Sequence, residues 1–272
     1  MHIIEQYTAA KSTTTPSEDA VVVNAYYAAV IDGATPKTSF RFAGGETPGH
    51  RAAQLIADAI TSLPPAADAP EAVALISASM RDGVDFEQLQ ASNRPIASVA
   101  IYSAARNEVW MIGDCQLFLP ELNEAYCENK VIDRLLSEWR RDIDRSMLSR
   151  GLLTEDEIRE KDPGRAIIQH FITQQVRYQN RKDGHRLAYV MLDGSSIDQQ
   201  QIRAFPIPRG CHRLVLATDG YPKLFGTLEQ TERHLAQLLQ EDPLCIGPLL
   251  GTKGISPGNN SFDDRSYLSI EL

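Results

Sequence analysis

Acidic residues recur at one kind of place in this chain, the edge of an apolar run beside a Gly or another turn residue. The sites are Glu18-Asp19, Asp32-Gly33, Gly113-Asp114, Asp219-Gly220 and Asp263-Asp264. A lone Asp-Gly after a strand is ordinarily only a turn. Repetition changes the reading: strands that share a core carry their ends to one place, and carboxylates gathered there cannot all stay ionised without cations. Hard divalent ions with oxygen ligands, Mg²⁺ or Mn²⁺, are the natural compensation.

Composition sets the frame for such a core. The 272 residues are 43% hydrophobic, with a net charge of −9. A chain of this size buries enough surface to fold without disulfides or a structural metal. Its negative balance argues against nucleic acid as a partner. No apolar stretch approaches the roughly 20 residues that span a bilayer, so no membrane partner is expected. Met1 to Tyr7 carries Glu5 where a signal peptide wants positive charge, which makes the cytoplasm the expected compartment. Cys115, Cys127, Cys211 and Cys245 form no CxxC pair and read as buried free thiols. Oligomeric state is left open.

Patterning alternates strands with paired helices. His2 to Ala9 and Asp19 to Ile31 read as strands in a hairpin-like opening. Helices are predicted over His50 to Leu63 and Glu71 to Arg81, followed by meander strands at Ile96 to Ser103, Glu108 to Ile112 and Gln116 to Leu119. Val131, Leu135, Trp139, Ile143 and Met147 form one apolar stripe, with Arg140-Arg141 on a solvated face. Thr154 and Glu157 make a capping box, and Asp162-Pro163 starts another helix. Strands return at Arg186 to Leu192, Gln201 to Phe205, His212 to Thr218 and Ser266 to Leu272, with a helix over Leu228 to Leu239. The order predicts an α+β layered fold, one domain over 1–272, with a helical insertion at about 124–180.

Common nucleophile and phosphate-loop motifs are missing: no GxSxG, GxxxxGK or HExxH occurs. The acidic motifs, taken in order as Glu18-Asp19-Ala20, Ala29-Val30-Ile31-Asp32-Gly33, Trp110-Met111-Ile112-Gly113-Asp114, Leu216-Ala217-Thr218-Asp219-Gly220 and Asp263-Asp264-Arg265-Ser266, resemble those of the type 2C metal-dependent protein phosphatases, in their divergent bacterial form. The resemblance implies a four-layer α-β-β-α sandwich with two central antiparallel sheets and a binuclear centre of two Mg²⁺ or Mn²⁺ ions. It implies Glu18, Asp32, Gly33 (through its carbonyl), Asp219 and Asp263 as metal ligands, with Asp32 bridging and Asp32 and Asp219 central to catalysis. Asp19 would orient metal-bound waters, Asp114 matches the acid that in many members helps hold a third metal, and Asp264 would be a flanking residue.

The chain also departs from that pattern. Ala34-Thr35-Pro36-Lys37 stands where many members carry His after Asp-Gly, and Lys223 stands where many place another Asp and is expected to repel a third metal, leaving two. The phosphate-binding Arg before the Glu-Asp pair is missing, and Lys11, the nearest cation, is expected to bind phosphate in its place, as a point charge. The expected function is hydrolysis of phosphoserine or phosphothreonine in a phosphoprotein substrate by an activated water. The alternative is a phosphatase-fold binding or regulatory module with weak or no catalysis.

Overall fold

The structure is a computed structural model that describes residues 1–35 and 37–272, so that of the stretch Ala34 to Lys37 only Pro36 lies outside it. Strands β1 (His2–Ala9), β2 (Asp19–Val23), β3 (Tyr27–Gly33), β4 (Ala97–Ser103), β5 (Glu108–Ile112), β6 (Gln116–Leu119), β7 (Glu124–Cys127), β8 (Arg203–Pro206), β9 (Arg213–Ala217) and β10 (Arg265–Glu271) form two antiparallel sheets. Their orders are β1-β10-β9-β6-β7 and β2-β3-β4-β5-β8.

Alternation along each central strand assigns the layers. In β3, Tyr27, Ala29 and Ile31 face helices α1 (Pro48–Thr61) and α2 (Ala69–Gly83). Ala28 and Val30 face the other sheet, meeting Leu214, Leu216, Leu268 and Ile270. The outer residues of that second sheet, Val215, Ala217 and Tyr267, pack under Leu235 of α6 (Leu228–Glu241). This is the expected α-β-β-α sandwich.

Several expectations are corrected. β1 makes no hairpin with β2; it pairs with β10 in the opposite sheet. The Asp19 to Ile31 run is instead itself a hairpin, β2 with β3, because Asn24 Oδ1 accepts the amides of Tyr26 and Tyr27 at 2.8 Å and turns the chain. Arg186 to Leu192 forms no strand: the Asn180 side chain takes both the N–H and the carbonyl of Met191, so a ladder there has no free backbone groups at that residue. Glu124–Cys127, expected as the start of the helical insertion, is the strand β7 paired to β6. Cys127 is exposed, while Cys115, Cys211 and Cys245 are buried; all are free thiols.

The helical part comprises α3 (Val131–Ser149), α4 (Glu155–Lys161) and α5 (Pro163–Gln174). Its buried row on α3 is Ile132, Leu136, Arg140 and Asp144, one position round from the predicted stripe, and Trp139 is 52% exposed. The rotation follows from Arg140, which is not solvated but 1% exposed. Its guanidinium donates to Asp162 Oδ1 and Oδ2 at 2.9 and 3.0 Å and to the carbonyls of Leu244, Cys245 and Gly251. It thereby ties α3 to the start of α5 and to the loop after α6. Removing one partner of a buried ion pair costs about 3–5 kcal/mol, so Arg140→Met is expected to lower stability on that scale in urea titration. Arg141→Met is expected to change it by less than about 0.5 kcal/mol.

Candidate active site

The site lies where the two sheets bring their acidic ends together. In the β2–β3–β4 ladder Asp19 stands opposite Asp32, and Asp32 opposite Ser98. Like charges directly opposite in a sheet repel, so this register needs compensation. From the other sheet, Thr218 at the end of β9 donates to Asp19 at 2.7 Å and accepts from the Ser266 amide at 2.8 Å, which fastens the two sheets together here.

Asp32, Asp114 and Asp219 each place a carboxylate oxygen within 4.8 Å of the others. Desolvation first, then repulsion from Asp19 and Asp114, holds the Asp32 carboxyl well above the ordinary carboxylate range. Desolvation and Asp32 do the same to Asp219, and desolvation, against the Thr218 bond, to Asp19. Asp114 differs. Burial raises it, but Lys130 at 2.7 Å and the Ser98 hydroxyl outweigh burial and keep it ionised. Thus Asp114, left outside the expected two-ion set, lies within the main cluster. Lys223, expected to repel a third metal, is exposed and sits 5.0 Å from the Phe225 ring centroid.

Glu18 and Asp263 meet a different environment. Lys11 Nζ lies 3.3 Å from Glu18, 3.2 Å from Asp263 and 3.2 Å from Asp264, and donates to Thr35 Oγ1 at 2.8 Å. Its ammonium donors are therefore spent on protein oxygens, which corrects its expected role in binding phosphate. Lys253 reaches Asp263 from the other side at 2.7 Å. Burial opposes ionisation of Asp263, yet Lys253 and Lys11 together hold it well below the usual range.

Asp264 is no mere flanking residue. It is 4% exposed and accepts the backbone amides of Lys11 at 2.8 Å and Glu18 at 3.0 Å, so it shapes the segment that presents Glu18. The N-terminus of α1 docks on the same segment: its cap Thr47 bonds the Glu18 carboxylate and accepts from the His50 amide. Glycine is required where this helix meets β3. A Cβ on Gly33 would overlap Gly49 O and stand 2.5 Å from Glu18 O, and one on Gly49 would stand 2.8 Å from Gly33 O.

The donor set suits a hard divalent cation. Asp32, Asp114 and Asp219 offer only oxygens, two of them on carboxyls whose ionisation burial and repulsion oppose, and an ion there would relieve both. Above this floor, Lys37, Arg94, Lys130, Arg165 and Lys253 line a cleft that Asp32, Asp219 and Asp263 share. No local motif marks Lys37, Arg165 or Lys253 as site residues, since each arrives from a separate loop or helix start.

Asp32→Asn removes one of the repelling charges while keeping shape. In metal-free buffer it is expected to raise the thermal midpoint by about 2–4 °C, equivalent to roughly 1 kcal/mol. Mn²⁺ is expected to stabilise the native chain, and that increment to fall by more than half in the variant. Differential scanning calorimetry with and without Mn²⁺ measures both.

Comparison with known proteins bears on the fold. Neither a scan of family models nor a search of curated proteins by sequence finds a match. Among solved structures, the serine/threonine phosphatase Stp1 from Staphylococcus aureus superposes with a TM-score of 0.50 at 12% identity, over 100% of this chain and 96% of that one. A point variant of a bacterial serine phosphatase gives 0.51 at 10% identity, over 100% and 99%. The chain therefore has the fold of the bacterial serine/threonine phosphatases, as its type 2C resemblance implies.

Proposed function

We propose that this chain is a single-domain, Mg²⁺- or Mn²⁺-dependent phosphatase that hydrolyses phosphoserine and phosphothreonine in proteins. The observation that carries this reading is the Asp32, Asp114 and Asp219 cluster, set at the sheet ends beneath a cleft rich in cations. Bound divalent ions supply Lewis-acid polarisation of the phosphoryl group and a water acidified toward neutral pH. Asp32 and Asp219 would hold the ions, with Glu18, the Gly33 carbonyl and Asp263 completing a two-ion set. Asp19, fixed by Thr218 and opposite Asp32 in the ladder, would orient water there. Lys130 keeps Asp114 charged and aimed at the cluster. A site of this kind needs no side-chain nucleophile, in keeping with the missing motifs. No helix among the described residues is long and apolar enough to cross a membrane, and we place the activity in the cytoplasm.

A second reading, a binding or regulatory module with little catalysis, is favoured by one observation. Lys11 already neutralises Glu18 and Asp263, two of the five expected ligand positions. Calorimetric titration with Mn²⁺, run beside hydrolysis of an aryl phosphate, separates the two. The enzyme reading expects two ions per chain, turnover abolished by chelator, and a loss of at least about 100-fold in Asp32→Asn. The module reading expects fewer ions in the native chain, a gain of one in Lys11→Met, and no Mn²⁺-dependent turnover.

A further inference from the structure

Five basic side chains line the cleft over Asp32 and Asp219, and they divide into two kinds. Lys130 and Lys253 have carboxylate partners, Asp114 and Asp263, each at 2.7 Å. Lys37, Arg94 and Arg165 have none within 4.0 Å among the described residues. They come from separate parts of the chain: the loop after β3, the approach to β4 and the first turn of α5.

Two of the three are anchored by neutral groups. Arg165 donates to the carbonyl and hydroxyl of Thr252 at 2.8 and 3.2 Å. Arg94 donates to the Phe86 carbonyl at 3.3 Å, with its guanidinium 5.8 Å from that ring's centroid. Neither has a carboxylate within 4.0 Å of its guanidinium among the described residues, although Asp162, Asp263 and Asp133 act on Arg165 from farther away. Burial, then repulsion from Lys253 and Arg165, draws the Lys37 ammonium down to about 8. A chain whose net charge is −9 thus keeps mutually repelling cations together in one cleft.

A phosphomonoester carries about −1.5 to −2 at neutral pH and would sit over the acidic cluster, where divalent ions meet that charge. Asp133, also in the lining, faces Lys37 and offsets it. Arg94 and Arg165 remain, beside apolar lining from Ile96, Ile172, Val176 and Met191 that suits the stems of a peptide.

Resting on the phosphatase reading above, we propose that Lys37, Arg94 and Arg165 form an anion subsite that selects phosphopeptides bearing acidic residues beside the phosphorylated one. The cleft attracts such a segment although the rest of the surface repels it, so the preference weakens as salt screens the charges.

The test uses the whole protein with Mn²⁺ and fluorescent peptides in which a non-hydrolysable phosphonate replaces the phosphate, flanked by Glu, Ala or Lys. Fluorescence anisotropy is expected to show the Glu-flanked peptide binding about tenfold tighter than the Ala-flanked one, and the Lys-flanked one weakest, the scale of one or two close charge pairs. Arg94→Gln combined with Arg165→Gln is expected to bring the Glu-to-Ala ratio to within about twofold of unity. Arg94→Gln alone, at an exposed position, is expected to reduce it by about half, should the double variant melt early. Equal binding of the Glu and Ala peptides, or an unchanged ratio in the folded variants, overturns the proposal. Aryl phosphate turnover is measured in parallel. If it is absent while the flank preference persists, the phosphatase reading fails and the anion subsite stands.

Discussion

Repulsion among carboxylates at one end of the sandwich is the constraint around which the rest of this molecule is arranged. The β2–β3 register sets Asp19 against Asp32, and the second sheet adds Asp219 and Asp263. An apolar core alone would not tolerate that crowding. The chain answers with lysines from three segments: Lys11 between β1 and β2, Lys130 at the start of α3, and Lys253 after α6. The compensation is partial by construction. Among the described residues it leaves Asp32 and Asp219 without a lysine ion pair within 4.0 Å, where a divalent ion has most to gain.

That division gives the helical segments a role in the site as well as in covering the sheets. Lys130 stands at the residue before α3, and Arg165 lies in the first turn of α5, so the positions of both depend on how those helices are held. Arg140 holds them, through Asp162 and three carbonyls of the loop after α6, which also carries Lys253. A buried, fully bonded guanidinium adds little net stability, but it fixes one arrangement where apolar packing would permit several. The same helices leave Trp139 and Phe171 in edge-to-face contact, exposed on the outer face away from this clamp.

The layered architecture was legible in the sequence because strands buried on both faces and amphipathic helices leave strong periodic signals. The acidic positions were legible too, since Asp beside Gly at a strand end is a local pattern. Less legible were residues whose role depends on a distant partner. Arg140 has the local look of a surface charge, yet its partners lie 22 and more than 100 residues away. The segment containing Tyr189 and Met191 reads as a strand, but Asn180 claims the backbone of Met191. Asp264 reads as a neighbour of a ligand, and it proves to bind amides about 250 residues earlier in the chain.

By itself, then, the sequence determined which residues carry negative charge, that they end strands of a layered α+β fold, and that they resemble a phosphatase set. Those properties are local, fixed by side-chain chemistry and by periods of two and 3.6 residues. Only the tertiary structure decided how the charges are shared: Lys11 on Glu18 and Asp263, Lys130 on Asp114, and Lys37, Arg94 and Arg165 lining the cleft with no ion pair within 4.0 Å among the described residues. The reason is physical. Electrostatic pairing depends on distance through space and on burial, and both are set by the packing of segments that lie far apart along the chain.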